Sequence, residues 1–165
     1  MKKQFFLWML FSIAAVSSVQ SQRLFYLFGN AQYGNPTGNA SGIYKNSIGA
    51  NAGAGVGLLG KTFFQATVGY NRLNGEGNVP NANVTKIMGG IRQFIFLRKI
   101  FIQGNVGNAS INSNGNSASR LALDAGVGAK LLGIEGSLNY EHFGQKDNSP
   151  SFGFITLRAG FNLGL

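Results

Sequence analysis

Residues 153–165 read GFITLRAGFNLGL and alternate between two kinds of side chain. One parity is apolar and comprises Ile155, Leu157, Ala159, Phe161, Leu163 and Leu165. After an initial Phe154, the other parity is polar or small and comprises Thr156, Arg158, Gly160, Asn162 and Gly164. Because successive side chains of a β-strand point to opposite faces, this period of two predicts a strand with one apolar wall and one polar wall.

The same alternation recurs seven times upstream, so the chain is predicted to contain eight strands. The eight segments are residues 24–33, 47–58, 62–72, 84–97, 100–111, 120–131, 134–143 and 153–165. Each has roughly 10–14 residues, which matches the ~9–11 residues of a tilted membrane strand with some overhang. The pattern is therefore typical of strands that cross a bilayer.

Long polar connections alternate with very short ones along the chain. The long connections are residues 34–46, 73–83, 112–119 and 144–150, and the short ones are residues 59–61, 98–99 and 132–133. An antiparallel meander places all the long loops at one end and all the short turns at the other, which is the asymmetry of transmembrane barrels. The sequence predicts an all-β, eight-stranded, up-and-down transmembrane barrel in which the first and last strands pair.

Composition and charge placement favour a membrane barrel over a soluble one. Charged residues make up only 12% of the chain, about half the usual ~25%. The charged residues within the predicted strands all share the polar parity, and they are Lys86, Arg92, Arg120, Asp124, Lys130, Glu135, Glu141 and Arg158. Since a basic side chain facing lipid at mid-bilayer costs about 2–4 kcal/mol, we expect the apolar parity to face lipid and the charged parity to line the lumen. A soluble secreted barrel, with these faces reversed, is the alternative.

The charges in the lumen are expected to neutralise one another as a polar network. Folding the sixth segment onto the seventh sets Lys130 opposite Glu135 and Asp124 opposite Glu141. The first pair is a plausible buried ion pair. The second juxtaposes two carboxylates, which requires a cation that a lumen arginine would supply.

Aromatic residues near the strand ends predict two interfacial girdles. Those near the ends that lead into long loops are Tyr33, Tyr70, Tyr140 and Phe143. Those nearer the short turns are Phe25, Phe64 and Phe161. Such belts of aromatic rings are typical of the two membrane–water interfaces.

The first 21 residues have the pattern of a secretory signal peptide. Lys2-Lys3 precedes the apolar run FFLWMLFSIAAV, and Val19-Gln20-Ser21 resembles a small-x-small cleavage site. The apolar run is shorter than the ~20 residues that a spanning helix needs. We therefore expect residues 1–21 to be removed and residues 22–165 to form an outer-membrane β-barrel domain, with a retained N-terminal anchor as the alternative.

Little in the sequence points to a cofactor or a reactive centre. The chain has no cysteine, which excludes a thiol nucleophile and disulfides. No carboxylate–histidine cluster suits a metal, and export with dispersed charges argues against nucleic acid despite the net charge of +9. Lys45, Arg72 and Lys146 at the predicted outer rim are candidate contacts for lipopolysaccharide phosphates.

The signal peptide, the eight strands, the loop asymmetry and the final strand resemble the small eight-stranded outer-membrane β-barrel family of the OmpA and OmpX type. This resemblance implies a Gram-negative outer-membrane protein inserted by the barrel-assembly machinery, which often reads a C-terminal aromatic residue. The chain ends instead in Leu165, with Phe161 four positions earlier. OmpX-like members are linked to surface adhesion and defence, and OmpA-like members to envelope integrity.

Some eight-stranded barrels modify lipid A, and the deacylase type has a lipid-facing histidine followed two residues later by serine. Here Gly144 follows His142 at that spacing, so the nucleophile is missing. We expect a non-enzymatic structural or surface-interaction protein with a plugged polar lumen and no cofactor, whose loops, notably 34–46 and 73–83, contact an extracellular partner. The alternatives are a narrow pore or small-solute channel, and a lipid A-modifying enzyme using His142.

Overall fold

The chain folds into a closed eight-stranded barrel. The computed structural model describes residues 25–59, 61–96, 99–145 and 150–164, so the predicted signal peptide lies outside the described residues. The strands are β1 (Phe25–Thr37), β2 (Tyr44–Leu59), β3 (Thr62–Gly75), β4 (Ala82–Phe96), β5 (Ile100–Ser113), β6 (Asn116–Leu131), β7 (Ile134–Phe143) and β8 (Phe152–Gly164). Each strand pairs antiparallel with its neighbours, and β1 pairs with β8. The predicted fold class is confirmed.

The other regular element in these ranges is a single 3-10 turn, Gly38–Ala40, between β1 and β2. Within the described residues, no helix has the length and apolar character needed to cross a bilayer. We call the end of the barrel that carries the β1–β2, β3–β4, β5–β6 and β7–β8 connections the loop end. The opposite end is the turn end.

The strands run further toward the loop end than the alternation predicted. β1 ends at Thr37 rather than at residue 33, and β2 begins at Tyr44 rather than at residue 47. The prediction of a long loop at residues 112–119 was wrong, because β5 and β6 are joined by the two-residue turn Asn114-Gly115. Both turn residues have positive φ, 50° and 81°, the geometry for which Asn-Gly is the preferred hairpin sequence.

The two faces of the strands differ sharply in polarity. The outward face is a continuous apolar surface on which Ile87 is 66% exposed and Leu157 is 62% exposed. On the inward face, Lys86 and Arg92 are each only 1% exposed. An apolar exterior around a charged interior is the arrangement of a transmembrane barrel and the reverse of a water-soluble one.

The aromatic girdles are present with one exception. Tyr33, Tyr70 and Tyr140 are exposed on the outward face. Phe143 was assigned to the same girdle wrongly, because it is 1% exposed and packs inside the barrel against Phe154. The level of Phe143 along its strand suggested an interfacial position, but its parity places the ring in the lumen.

Side chains in the lumen form three layers along the barrel axis. The aromatic layer, at the turn end, comprises Tyr26, Phe28, Phe63, Phe94 and Phe101. The apolar layer, at the loop end, comprises Ala40, Leu73, Ala82, Val84, Met88, Ala109, Ile111, Ala122, Phe143 and Phe154, with Tyr44 and Phe152 packed against it. The charged side chains of the lumen form the ionic layer, in which Lys86, Asp124, Glu141 and Arg158 lie between the other two layers, whereas Arg92 and Glu135 lie at the level of the aromatic rings.

Candidate functional site in the lumen and on the barrel surface

Four charged side chains of the ionic layer form one connected network. The Arg158 guanidinium is paired with Asp124, and its Nη2 atom lies 2.5 Å from Glu141 Oε1. The same Glu141 carboxylate is paired with Lys86 from across the lumen. None of the four residues is more than 5% exposed. Because an unpaired charge at this depth would cost several kcal/mol, mutual neutralisation is what permits these groups to be buried.

The register of β6 and β7 explains why an arginine is needed here. In that register, Asp124 lies opposite Glu141 and Lys130 lies opposite Glu135 on the neighbouring strand, as the folding of the two segments predicts. Two neighbouring carboxylates repel each other unless a cation lies between them. Arg158, on the adjacent strand β8, contacts both carboxylates and supplies that cation.

A second ion pair connects the ionic layer to the aromatic layer. Arg92 Nη1 donates a hydrogen bond to Glu135 Oε2 over 2.8 Å. The Arg92 guanidinium also lies 4.2 Å from the centroid of the Phe101 ring, which is within the range of cation–π attraction. Asn162 Nδ2 donates to the same Glu135 oxygen over 2.9 Å. Arg92 therefore satisfies its charge with a carboxylate and packs its flat face on an aromatic ring.

Neutral amide side chains complete the network, and the sequence reasoning did not assign them a role. Gln32 Oε1 accepts a hydrogen bond from Arg158 Nε over 3.3 Å, and Asn105 Nδ2 donates to Asp124 Oδ1 over 2.8 Å. Gln65 links Asn105 to Tyr26 in the aromatic layer. These amides stand on the same parity as the charges, which is the signal that could have identified them.

The structure brings together six of the eight charged residues that the alternation placed in the lumen. The other two lie toward the ends. Lys130 donates a hydrogen bond to Asn162 near the turn end. Arg120, at the loop end, donates to the carbonyl oxygens of Gly144 and Pro150 over 3.2 and 2.9 Å, so it holds the two ends of the β7–β8 connection together.

Space for the long Lys86 side chain comes from Gly69 on the neighbouring strand. A Cβ atom built on Gly69 would contact the Asn51 side-chain oxygen and would lie 2.6 Å from Lys86 Cε. Any larger residue at this position would therefore collide with the stem of the buried lysine. Gly69 is thus a packing requirement of the buried Lys86.

His142 lies on the outward face near the loop end of β7, where it is partly buried. Its ring stacks on the Tyr140 ring with 6.3 Å between the centroids and 26° between the planes. Gly144, two residues later, offers no hydroxyl group. The acidic residues of the described strands all point into the lumen, and no group of three His, Cys, Asp or Glu side chains among the described residues could hold a metal.

Two of the three candidate lipopolysaccharide contacts lie on neighbouring strands at the loop end. Lys45 is near the start of β2 and Arg72 is near the end of β3, and both are exposed. Lys146 lies outside the described residues. The two described cations are therefore placed at one side of the rim, on paired strands.

Solved structures of similar fold are outer-membrane barrels. The N-terminal β-barrel domain of Pseudomonas aeruginosa OprF superimposes with a TM-score of 0.63 at 13% identity, over 87% of this chain and 100% of that domain. Neisserial surface protein A gives 0.56 at 14% identity, over 86% and 97%. Ail, the attachment invasion locus protein of Yersinia pestis, gives 0.51 at 18% identity, over 84% and 96%.

No protein-family model matches the chain, and no curated protein matches it. The likeness to the three barrels concerns architecture, because sequence identity at this level carries no residue-by-residue correspondence. The barrels share the strand number and the closed antiparallel topology that this chain shows. The chain has the fold of the eight-stranded outer-membrane β-barrels.

Proposed function

We propose that this chain is a non-enzymatic outer-membrane protein that serves structure and surface contact, with a lumen plugged by its own side chains. The observation that carries the proposal is the stacking of the three lumen layers. An eight-stranded barrel is just wide enough for side chains to fill it. The aromatic and apolar layers enclose the network of Lys86, Asp124, Glu141 and Arg158 from both ends, and such a filled interior suits a scaffold better than a conduit.

Export and membrane insertion are part of the same proposal. Residues 1–21 act as a cleaved signal peptide, and residues 22–165 are inserted into the outer membrane by the barrel-assembly machinery. The loop end then faces outward and the turn end faces the periplasm. The apolar outward face supports this placement, because water would solvate so extensive an apolar surface poorly.

The loop end is the contact surface of the protein. Its connections β1–β2 and β3–β4 present short exposed segments to an extracellular protein partner. Lys45, Arg72 and Lys146 contact the phosphates of lipopolysaccharide. Their placement supports this contact, since Lys45 and Arg72 are both exposed on neighbouring strands at the loop end. Ail, of similar fold, is named the attachment invasion locus protein, which fits a surface role.

Single-channel recording in planar bilayers tests the plugged lumen. We expect the folded barrel to insert without stepwise conductance, and stable current steps would establish the pore alternative. The enzyme alternative is tested by mass spectrometry of lipid A from cells that express the native chain or His142→Ala. We expect identical lipid A in both, and a change in acylation that disappears in His142→Ala would contradict the proposal.

A further inference from the structure

An apolar groove crosses the outward face of β4, β5, β6 and β7. Its volume is about 720 Å³, within the ~300–1,000 Å³ range of small-molecule sites. Gly89, Gly104 and Ala125 form its floor, and bulkier side chains, Ile91, Val106, Leu123, Tyr140 and His142, form its walls. The groove spans three strand spacings, or about 14 Å at the usual separation of paired strands.

The groove runs from the loop end of the barrel toward its middle. His142 is one residue from the end of β7, whereas Gly89 is seven residues from the loop-end start of β4. These two residues are the ends of one register row, Gly89–Val106–Leu123–His142. An occupant would therefore enter near the membrane surface beside an imidazole and extend into the apolar band.

A polar surface lies on the same strands, two residue rows from the groove toward the loop end. The next outward row toward the loop end is Ile87, Asn108 and Leu121, and the row beyond it carries Thr85, Ser110 and Ser119. Ser119 Oγ donates to Asn108 Oδ1 over 2.6 Å, and all four polar side chains are exposed. Arg72 stands opposite Asn83 at the edge of this polar surface, and no acidic side chain of the described strands faces outward.

We infer that the groove and the polar surface together bind one molecule of an outer-leaflet glycolipid, with an acyl chain in the groove and phosphorylated sugars against the Asn, Ser and Thr side chains. The groove is continuous with the outward face that meets acyl chains, which identifies the apolar part of the occupant. Amide and hydroxyl groups donate and accept hydrogen bonds as sugar hydroxyls require, and the exposed Arg72 guanidinium suits a phosphate. The inference rests on the proposed location in the outer membrane.

The glycines of the groove floor are not required by the packing of neighbouring side chains. Gly29, also on the outward face, is covered by the Phe161 ring, which lies 2.9 Å from a Cβ built at that position. A Cβ on Gly104 would meet nothing within 4 Å, and one on Gly89 would meet only a backbone oxygen at 4.0 Å. Larger side chains would therefore fit at both floor positions without a clash, and they would fill the groove.

The test compares Gly104→Leu with Gly136→Leu. Gly136 is an outward glycine of β7 outside the groove, with only a backbone oxygen at 3.7 Å from its built Cβ. Each purified full-length barrel is mixed in detergent with equal amounts of diphosphoryl lipid A and phosphatidylethanolamine, and retained lipids are counted by native mass spectrometry. We expect the native chain and Gly136→Leu to retain one lipid A in preference to the phospholipid. Gly104→Leu should reduce that preference about tenfold, because the leucine would exclude roughly two methylene groups of the acyl chain from the groove.

Equal retention by the two leucine variants would overturn the inference, as would equal retention of the two lipids by the native chain. A barrel dimer that Gly104→Leu dissociates would also overturn it, because the groove would then seat a second copy. Should Gly104→Leu fail to fold, Ser110→Ala with Ser119→Ala removes hydroxyls without adding bulk and should lower the same preference. A barrel that fractionates with the outer membrane yet shows no preference contradicts this inference alone, whereas absence from that fraction contradicts the proposed function.

Discussion

Leu123 and Asp124 are neighbours on β6 and meet opposite surroundings. Leu123 is 41% exposed on the outward face, whereas Asp124 is 3% exposed and paired with Arg158. Inward positions are specified individually, because each charge needs a particular partner and each long side chain needs a particular space. At outward positions any apolar side chain is acceptable, because contact with lipid requires apolar character and little else. The two faces of one strand should therefore respond differently to substitution.

The largest expected effect is the loss of the shared carboxylate. Glu141→Gln leaves Lys86 and Arg158 without the acid that both contact, which should destabilise the barrel by about 3–5 kcal/mol. Urea unfolding in detergent micelles measures the change, with Glu76→Gln as the control because Glu76 is exposed in the β3–β4 connection. Equal stability of the two variants would mean that the network does not hold the lumen together.

A cation on the outward face should be the next most damaging change. Leu138 is 52% exposed midway along β7, and Leu138→Arg should cost about 2–4 kcal/mol in a bilayer. Leu132→Arg, in a turn where the leucine is already 96% exposed, should change stability little. The two variants are compared by urea titration in phospholipid vesicles, and a neutral Leu138→Arg would argue that this face does not meet acyl chains.

Glycines on the two faces give a milder comparison. Gly69→Ala would push a Cβ into the Asn51 side chain and against Lys86, at about 1–3 kcal/mol for an overpacked interior. Gly104→Ala adds a methyl group where nothing lies within 4 Å, and stability should stay within about 0.5 kcal/mol. Heat-modifiable gel mobility at a series of temperatures orders the variants. A more stable Gly69→Ala would show that the lumen has unused space.

The smallest expected effect is local and concerns Arg120. Replacing it with the shorter, neutral Gln removes the guanidinium that donates to the carbonyl oxygens of Gly144 and Pro150, which is worth about 1 kcal/mol. Protease cleavage between β7 and β8 should become faster while the unfolding midpoint stays nearly unchanged. Arg72→Gln serves as the control. An equal cleavage rate in both variants would show that Arg120 does not hold the two ends of the β7–β8 connection together.

The alternation of side chains was sufficient to predict the barrel, the polarity of its faces and one detail of the site. The β6–β7 register follows from the short turn at Leu132-Gly133, so the meeting of Asp124 and Glu141, and the need for an arginine between them, could be read from the sequence. These contacts are between neighbouring strands, where a tight turn fixes which residues are opposite each other.

Contacts across the lumen could not be predicted in the same way. Lys86 reaches Glu141 and Arg92 reaches Glu135 from non-adjacent strands, and such pairings depend on the shear and curvature of the closed sheet. The aromatic layer was missed because inward rings such as Phe63 and Phe101 interrupt an otherwise polar parity. The sequence showed these residues, but only the closed barrel shows that they meet.

Spin labelling of single cysteines tests the orientation of the faces most directly, since the chain has no native cysteine to interfere. Nitroxides at Leu123, Val127 and Leu157 in phospholipid vesicles should collide with lipid-soluble oxygen far more often than with a water-soluble nickel chelate. A cysteine replacing the buried Thr156 should resist labelling until the barrel unfolds. Greater collision with nickel at the three leucine and valine positions, together with ready labelling at Thr156→Cys, would mean that the barrel is inside out and would contradict the account.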